Sequence, residues 1–473
     1  MIKDKPTLLW LRRDLRLGDH PALTAAIAQG GPVIPVFIRD AQVDALGAAA
    51  KFRLGLAIDA LAARLQDMGS RLILRSGDAL GVLQALVAET GAGALHWSRA
   101  YDPESIARDT SIKAALARAG VEVHSHPGHL LFEPWTVQTK TGGYYRVYTP
   151  MWRAVKDRPV APPLPAPPVI PAPDDWPRSD ALPDWAMGRA MNRGADIVAR
   201  WQRVGEDAAQ ERLAAFTHGA INTYHDARDL PCVDGTSGLS ENLAVGEISP
   251  RQCWHAGLRA RHEGAQGSET WLKELVWREF AYHLMFHSPH ILTDNWRPEW
   301  DAFPWRSDTD HPDVIAWKQG RTGVPFVDAA MREMYVTGKM HNRGRMIVAS
   351  FLTKHLMTDW RIGMAWFADC LTDWDPASNA MGWQWAAGSG PDATPYFRIF
   401  NPETQLAKFD ADGGYPRRWI AEGQARAPAT ALSFFEAIPR SWGLDPDDRY
   451  PAPIIALTAG RARALDAYSG YKG

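Results

Sequence analysis

Short apolar runs alternate with helix-like segments through the first 130 residues of the chain, and this alternation restricts the possible folds most. The runs are TLLWL (7–11), VIPVFI (33–38), RLILR (71–75), ALHWS (94–98) and VEVHS (121–125). The segments between them, such as KFRLGLAIDALAARLQDMG, have helical periodicity. Strands that alternate with helices form a parallel sheet with helices on both faces. The sequence therefore predicts an α/β domain with a Rossmann-like parallel sheet over residues 1–133.

Proline-dense sequence separates this region from the remainder of the chain. The stretch 158–187 begins RPVAPPLPAPPVIPAPDDW, which favours extended polyproline geometry over a helix. We assign residues 134–195 to an interdomain linker that runs over the surface. Helical periodicity then predominates over residues 196–473, with capping residues at several segment ends. An all-α C-terminal domain is expected, in which segments 194–217 and 343–371 each form one helix.

Composition excludes several classes of protein. Lys and Arg number 52 and Asp and Glu number 54, so the net charge of −2 does not indicate nucleic-acid binding, although a local basic groove stays possible. Cys232, Cys253 and Cys370 are too few and too widely spaced for a disulfide framework. The N-terminal sequence lacks the apolar core of a signal peptide, and no stretch reaches the ~20 apolar residues of a membrane span. A cytoplasmic protein is expected.

The segment DWDPASNAMGWQWAAGSG (373–390) combines paired carboxylates with paired tryptophans. On a helix, Trp383 and Trp385 would point about 200° apart, so one ring can face inward while the other lines a surface cavity. Asp373 and Asp375 have the same spacing and are compatible with acid–base chemistry, a metal or donor groups of a ligand. By themselves, the two rings are equally compatible with core packing.

Five segments carry motifs that occur together in chain order. They are LLWLRRDLRLGDHPAL (8–23), GTSGLSENLAVGEISPRQC (235–253), ELVWREFAYHL (274–284), GRTGVPFVDAAMREMYVTGKMHNRGRMIVASFLTK (320–354) and NAMGWQWAAGSGPDATPYFRIFNP (379–402). Together they resemble the DNA photolyase/cryptochrome family, most closely its bacterial class I cyclobutane pyrimidine dimer photolyases. The resemblance implies FAD in the helical domain. It also implies light-driven repair of UV-damaged DNA, in which photoexcited reduced FAD gives an electron to a flipped-out dimer.

The resemblance assigns one group of residues to FAD. Asp373 and Asp375 would contact the flavin ring and ribose, and Arg345 would pair with Asp373. Asn379 would lie beside flavin N5, and the turn from Thr236 to Ser240 would hold the diphosphate. The full set is Tyr224, Thr236, Ser237, Gly238, Leu239, Ser240, Trp271, Arg278, Arg345, Asp373, Trp374, Asp375 and Asn379.

A second group matches the family's DNA contacts. Glu274 and Trp277 share a helix face by spacing, and the resemblance makes Glu274 a base contact and Trp277 a wall of the dimer pocket. The (6-4) branch has histidines at the positions of Asn342 and Met346, so this chain is expected to act on cyclobutane dimers. The full set is Arg228, Glu274, Trp277, Asn342, Arg343, Met346, Trp385 and Arg398, with the three arginines on DNA phosphates.

Three tryptophans match the family's chain for electron transfer to the flavin. They are Trp383, which is closest to the flavin in the resemblance, Trp360 and Trp305. No metal site is expected, because His283 and His287 have zinc-compatible spacing but no evident third ligand.

The sequence leaves the second, light-harvesting chromophore open. A folate is disfavoured because segment 39–53 lacks a histidine and Ser105 stands where the resemblance places a glutamate; a deazaflavin or another flavin is favoured. Three alternatives also stay open: a cryptochrome photoreceptor, a (6-4) photolyase, and an FAD-bearing DNA-binding protein without turnover. The short sequence after the last helical segment, 451–468, disfavours a signalling role. We expect a monomer without an obligate protein partner.

Overall fold

A five-stranded parallel sheet forms the centre of the N-terminal domain in the computed structural model, which describes residues 5–472. The strands are β1 (Thr7–Leu11), β2 (Val33–Arg39), β3 (Ile73–Ser76), β4 (Ala94–Ser98) and β5 (Glu122–His126). Their order is β3-β2-β1-β4-β5, and each neighbouring pair is parallel. The predicted Rossmann-like sheet is confirmed, and the strand bounds lie close to those of the apolar runs.

Helices cover both faces of this sheet. They are α1 (Pro21–Ala28), α2 (Ala41–Asp44), α3 (Ala48–Asp67), α4 (Ala79–Thr90) and α5 (Pro103–Arg118). Successive side chains of a strand point to opposite faces. Leu9 and Leu11 of β1 accordingly pack with α1 and α3, whereas Leu8 and Trp10 pack with α4 and α5. The continuous apolar run of β1 follows from burial on both sides.

The predicted linker, 134–195, contains a helix as well as extended chain. Helix α6 (Tyr148–Val155) packs into the core of the C-terminal domain. Its buried side has helical spacing and consists of Tyr148, Met151, Trp152 and Val155. Residues 156–181 form neither helix nor strand and cross the α/β domain, where the Val33 N–H donates to the Pro171 carbonyl at 2.7 Å. The proline-dense part is therefore non-helical as far as residue 181, as predicted, and the exact linker bounds stay a prediction.

Helices make up the C-terminal domain, as predicted. They are α7 (Gly194–Ala199), α8 (Glu206–His218), α9 (Tyr224–Ala227), α10 (Ser240–Val245), α11 (Pro250–His262), α12 (Ser268–His287), α13 (Pro312–Lys318), α14 (Pro325–Thr337), α15 (Asn342–Ser350), α16 (Trp360–Cys370), α17 (Pro376–Ala387), α18 (Pro402–Phe409), α19 (Gly414–Trp419), α20 (Ala429–Ala437) and α21 (Leu457–Lys472). Within residues 5–472, no helix is long and apolar enough to cross a bilayer.

Two segments that were each predicted to form one helix are interrupted. Segment 194–217 divides into α7 and α8 at Gly205, whose φ of +94° is incompatible with a continuous helix. Segment 343–371 divides into α15, a turn of π-helix at Phe351–His355, and α16, which begins after the capping carboxylate of Asp359. The single-helix predictions were wrong because apolar spacing continues across both breaks, and periodicity alone does not detect them.

Candidate cofactor and DNA site

A cavity of about 1280 Å³ lies in the helical domain, lined by residues of α9, α10, α12, α15 and α17. It exceeds the roughly 300–1,000 Å³ typical of small-molecule pockets, so it is large enough for a dinucleotide. Every residue that the sequence assigned to FAD or DNA lines this cavity, except Trp374 and Arg398. The fold thus brings together segments that are far apart in the chain.

Helix α17 carries Trp383 and Trp385, which differ in burial. Trp383 is 2% exposed and packs edge-on against Phe367 and Trp317, with ring centroids 4.9 and 6.1 Å away. Trp385 is partly exposed, and both Trp383 and Trp385 line the cavity. The two indoles therefore differ in burial, although both border the cavity and both pack against the same core, and their opposite orientation stays a prediction.

Asp373 binds the protein through one carboxylate oxygen and has the other free. Its Oδ2 accepts a hydrogen bond from Arg345 at 2.7 Å, which confirms the predicted ion pair. Arg345 Nε in turn donates to the Met340 carbonyl at 2.9 Å. Asp373 Oδ1 is buried without a partner among the described residues. Since buried acceptors are normally satisfied, and since Asp373 lines the cavity, the site fits a ligand with an N–H or O–H donor, as FAD has.

Both carboxylate oxygens of Asp375 already accept hydrogen bonds from the protein. Its Oδ2 accepts hydrogen bonds from Arg13 of the α/β domain at 2.9 Å and from the Tyr282 hydroxyl. Its Oδ1 accepts the Ser378 N–H at 2.8 Å, which caps the start of α17. Asn379 donates from Nδ2 to the Asp375 backbone carbonyl at 3.0 Å and lines the cavity. Direct contact of Asp375 with a ribose stays a prediction, and its observed role is to anchor α17.

The turn from Thr236 to Ser240 leads into α10 and carries donors without partners. In the described part of the chain, no hydrogen bond involves its backbone N–H groups or its hydroxyls, and the turn lines the cavity. Gly238 has a φ of +62°, which favours glycine. Arg212 donates to the Gly238 carbonyl at 2.8 Å and pairs with Glu241, so its positive charge beside the turn is partly offset. Free N–H and O–H donors with a guanidinium suit a diphosphate.

Helix α12 presents several of the predicted residues on its cavity side. Glu274 and Trp277 both line the cavity, as their spacing predicted, and Trp271 lies one turn earlier. Arg228 and Glu274, which were predicted as separate DNA contacts, form an ion pair with each other. The Arg278 guanidinium lies 2.9 Å from Nε2 of His129, which stands at the end of the α/β domain. Because Glu274 pairs with Arg228, the positive charge that Arg228 could offer to DNA phosphates is partly neutralised.

Helix α15 carries the positions that were predicted to select the lesion. Asn342 is exposed, and its Nδ2 lies 4.0 Å from the sulfur of Met346. Arg343 pairs with Asp229 at 2.6 Å, and its guanidinium lies 4.1 Å from the ring centroid of Phe409. The structure therefore presents an amide, a thioether and a partly paired guanidinium along this wall of the cavity.

Two predicted residues lie outside the cavity lining. Arg398 is exposed in the loop before α18, where its backbone carbonyl accepts a hydrogen bond from Lys354 Nζ at 3.0 Å. Trp374 is partly buried and packs against the core of the helical domain. The cofactor contact that the resemblance implies for Trp374 stays a prediction.

The three tryptophans of the expected electron chain lie at different depths. Trp383 lines the cavity, Trp360 on α16 is fully buried, and Trp305 is partly exposed. The Trp360 indole N–H donates to Asn295 Oδ1 at 2.9 Å, and the Trp305 indole N–H donates to the Thr353 carbonyl at 3.0 Å. This arrangement is compatible with electron transfer between the cavity and the surface through the three indoles, and the electron-transfer path itself stays a prediction.

Gly363 was not singled out from the sequence, although it shapes this region. A Cβ atom at Gly363 would lie 2.1 Å from the Trp383 ring, so only glycine lets α16 approach α17 this closely. Gly363 follows Trp360 by three residues within one helix. A glycine in a helix interior destabilises the helix by about 1 kcal/mol relative to alanine. A glycine at such a position in a predicted helix could therefore have indicated a close contact with another element.

The crevice between β1 and β4, where the strand order reverses, is the usual ligand position of such sheets. Polar side chains near the ends of these strands pair with one another. Arg12 bonds Asp109 at 2.7 Å, Ser105 Oγ donates to Gln42 at 3.1 Å, and Arg108 also donates to Gln42. These contacts leave the identity of a second chromophore open.

Two family models match the chain. One, described as FAD binding domain of DNA photolyase, covers residues 271–470, and the other, described as DNA photolyase, covers residues 7–169. The first includes most of α12 and all of α15 and α17, and the second spans the sheet and α6.

Known proteins resemble the whole chain. A deoxyribodipyrimidine photo-lyase of Agrobacterium fabrum is 46% identical over 100% of this chain and 99% of its own length. The crystal structure of a bacterial class III photolyase from Agrobacterium tumefaciens is 44% identical, with a TM-score of 0.92 over 100% of this chain and 98% of that one. A cryptochrome of Synechocystis is 27% identical, with a TM-score of 0.84 over 98% and 99% of the two chains. The class I assignment stays a prediction, since one relative is described as class III. The chain belongs to the DNA photolyase and cryptochrome family.

Proposed function

We propose that this protein repairs cyclobutane pyrimidine dimers in DNA with light. FAD in the cavity would supply the electron donor that light excites. One observation carries the proposal: Trp277 and Trp385, the expected walls of a dimer pocket, line the same cavity as Asp373 and the Thr236–Ser240 turn. A flipped-out dimer and the cofactor would therefore share one cavity.

The cavity residues divide into groups with different tasks. Trp277 and Trp385 would stack on the flipped bases, a contact worth about 1–3 kcal/mol per base. The Glu274 carboxylate would accept an N–H from a base. Arg343, together with Arg228 and Arg398, would hold the DNA phosphates, which requires Arg343 and Arg228 to exchange their carboxylate partners for phosphate.

The residues on α15 support a cyclobutane dimer over a (6-4) product. Asn342 and Met346 have no titratable proton, whereas (6-4) chemistry in the family uses paired histidines. The adjacent His341 does not supply a cationic acid, because burial lowers its pKa to about 4. Its Nδ1 accepts the Arg343 N–H at 3.1 Å.

Repair of defined oligonucleotides tests the proposal. Protein reconstituted with FAD and chemically reduced is mixed with DNA that contains either a single thymine cyclobutane dimer or a single (6-4) product. Blue light should restore the first and leave the second unchanged, and neither should change in darkness. Repair of the (6-4) product alone would overturn the lesion assignment.

The same assay separates repair from photoreception. The likeness to the Synechocystis cryptochrome motivates this comparison. Flavin that responds to light without repair of either lesion would favour a photoreceptor over a repair enzyme. We further propose that the protein acts as a monomer in the cytoplasm.

A further inference from the structure

The linker helix α6 reaches the back of the candidate DNA pocket through Tyr148. The Tyr148 ring stacks face-to-face on the Trp277 ring, with centroids 3.7 Å apart and planes inclined by 5°. Tyr148 is 7% exposed and is not among the residues that line the cavity, whereas Trp277 lines it. Tyr148 therefore covers one face of the indole and leaves the opposite face for the cavity.

Further contacts hold this stacked pair in place. The Tyr148 hydroxyl donates to the Lys273 carbonyl on α12 at 2.7 Å, so the tyrosine is attached to the helix that carries Trp277. Phe280 packs edge-on against Trp277 with centroids 5.8 Å apart. An indole with one covered face and one blocked edge has few alternative orientations.

A backbone contact of Tyr148 extends to the other wall of the pocket. Its N–H donates to Asp392 Oδ2 at 3.0 Å. Asp392 lines the cavity, follows the helix that carries Trp385, and has a φ of +50°, an uncommon conformation for a residue other than glycine. One linker residue thus contacts α12, which carries Trp277, and the segment that follows α17, which carries Trp385.

We propose that Tyr148 is a positioning residue for damage recognition, an inference that rests on the proposed function. Tyr148 holds Trp277 in the orientation that a flipped base stacks upon. The linker then contributes to substrate selection in addition to connecting the domains. Undamaged duplex, which is not flipped, would not depend on this orientation.

Paired binding titrations test the inference. Tyr148→Leu removes the stacking ring and should lower the ratio of affinities for dimer-containing and undamaged DNA by about three- to ten-fold, the range expected for loss of one aromatic pair. Tyr148→Phe retains the ring and should keep the ratio of the parent protein. All titrations use one salt concentration, because affinity for DNA depends on salt.

Tyr144 provides a matched control from the same segment. Its ring stacks on His287 of α12 with centroids 4.8 Å apart, and its hydroxyl bonds Ser288 at 2.7 Å, outside the cavity lining. Tyr144→Leu should therefore leave the affinity ratio unchanged. Circular dichroism and FAD content identify folded variants, and Tyr148→Met replaces Tyr148→Leu if the leucine variant does not fold.

The two proposals fail in different ways. A parent protein without preference for damaged DNA would refute the proposed function. A parent with that preference, together with an unchanged ratio in the Tyr148→Leu or Tyr148→Met variant, would refute the role of Tyr148. An equal decrease in the Tyr148→Leu and Tyr144→Leu variants would show a general effect of the segment and would also refute it.

Discussion

At the scale of single residues, Trp383 and Trp317 are two buried indoles whose hydrogen-bond partners and access to the cavity differ. Both are buried, and their ring centroids are 6.1 Å apart. The Trp317 indole N–H donates to the Val348 carbonyl at 3.2 Å, and Trp317 does not line the cavity. Trp383 lines the cavity, and its Nε1 has no partner among residues 5–472. We therefore propose Trp383 as the indole of the pair that exchanges an electron with a cofactor.

Replacement of these two indoles tests that difference. Trp383→Phe should abolish photoreduction of oxidised FAD by an external thiol, because phenylalanine is much harder to oxidise. Trp317→Phe should retain photoreduction. Dimer repair by the chemically reduced Trp383→Phe protein should stay near the parent rate, since repair then needs no electron from the protein. Absorption spectra under blue light and the oligonucleotide assay measure both. Equal losses in the two variants would mean that Trp383 acts through packing alone.

At the scale of elements, the π-helical turn between α15 and α16 places polar groups inside the domain. Lys354 in this turn is 0% exposed. Its ammonium donates to the Arg398 carbonyl at 3.0 Å and lies 5.3 Å from the ring centroid of Tyr396. The Thr353 carbonyl in the same turn accepts the Trp305 indole N–H. Such turns are frequent at functional sites, and this one supports both the Arg398 loop and Trp305.

The buried lysine should make stability depend on pH. Burial, and then Arg398, lowers the pKa of Lys354 to about 7, against about 10.4 in an unfolded chain. Between these pH values the unfolded chain binds more protons. The free energy of unfolding therefore rises with pH between about 7 and about 10.4, by up to about 1.4 kcal/mol per pH unit. The stability gained over this range is lost again as pH falls through 7.

Lys354→Met should remove that contribution. The variant should be more stable than the parent at pH 7, and the difference should shrink toward pH 10 because the parent gains stability over this range. Urea unfolding of both proteins at several pH values gives the two free energies. A difference that does not change between pH 7 and pH 10 would contradict the assignment.

At the scale of the whole molecule, the candidate site depends on both domains. Arg13, just after β1, bonds Asp375 at the start of α17. Burial acts to raise the pKa of Asp375, but Arg13 and then Arg278 hold it below its usual value. The domains also approach closely at Gly246, where a Cβ atom would lie 2.0 Å from the Arg13 carbonyl oxygen. The α/β domain therefore supports the helix that carries Trp383 and Trp385.

Loss of the interdomain ion pair should weaken both stability and cofactor retention. Arg13→Ala should lower the free energy of unfolding by about 1–2 kcal/mol, between the values of exposed and fully buried pairs. It should also reduce the FAD retained after gel filtration, since α17 loses an anchor. Arg39→Ala, which removes a more exposed pair with Asp44 inside the α/β domain, is the control. Equal behaviour of the two variants would show that the Arg13 contact has no special role.

Local pattern by itself determined the strands, the helical nature of the C-terminal domain and the difference in burial between Trp383 and Trp385. These features follow from periods of two and 3.6 residues, which are visible within a few residues of sequence. The family motifs added the expected FAD and DNA residues, most of which line one cavity. Local pattern did not reveal the breaks at Gly205 and in the π-helical turn, because apolar spacing continues through both.

Only the tertiary structure decided which side chains meet across long separations. Arg13 and Asp375 are 362 positions apart, and nothing near either residue in the sequence indicates the other. The stack of Tyr148 on Trp277 likewise joins a linker helix to the helical domain. Such pairs depend on how whole elements pack, and that packing is a property of the complete core. The sequence therefore identified the types of residue at the site, whereas the fold determined which groups are paired and which, such as Asp373 Oδ1, stay free for a ligand.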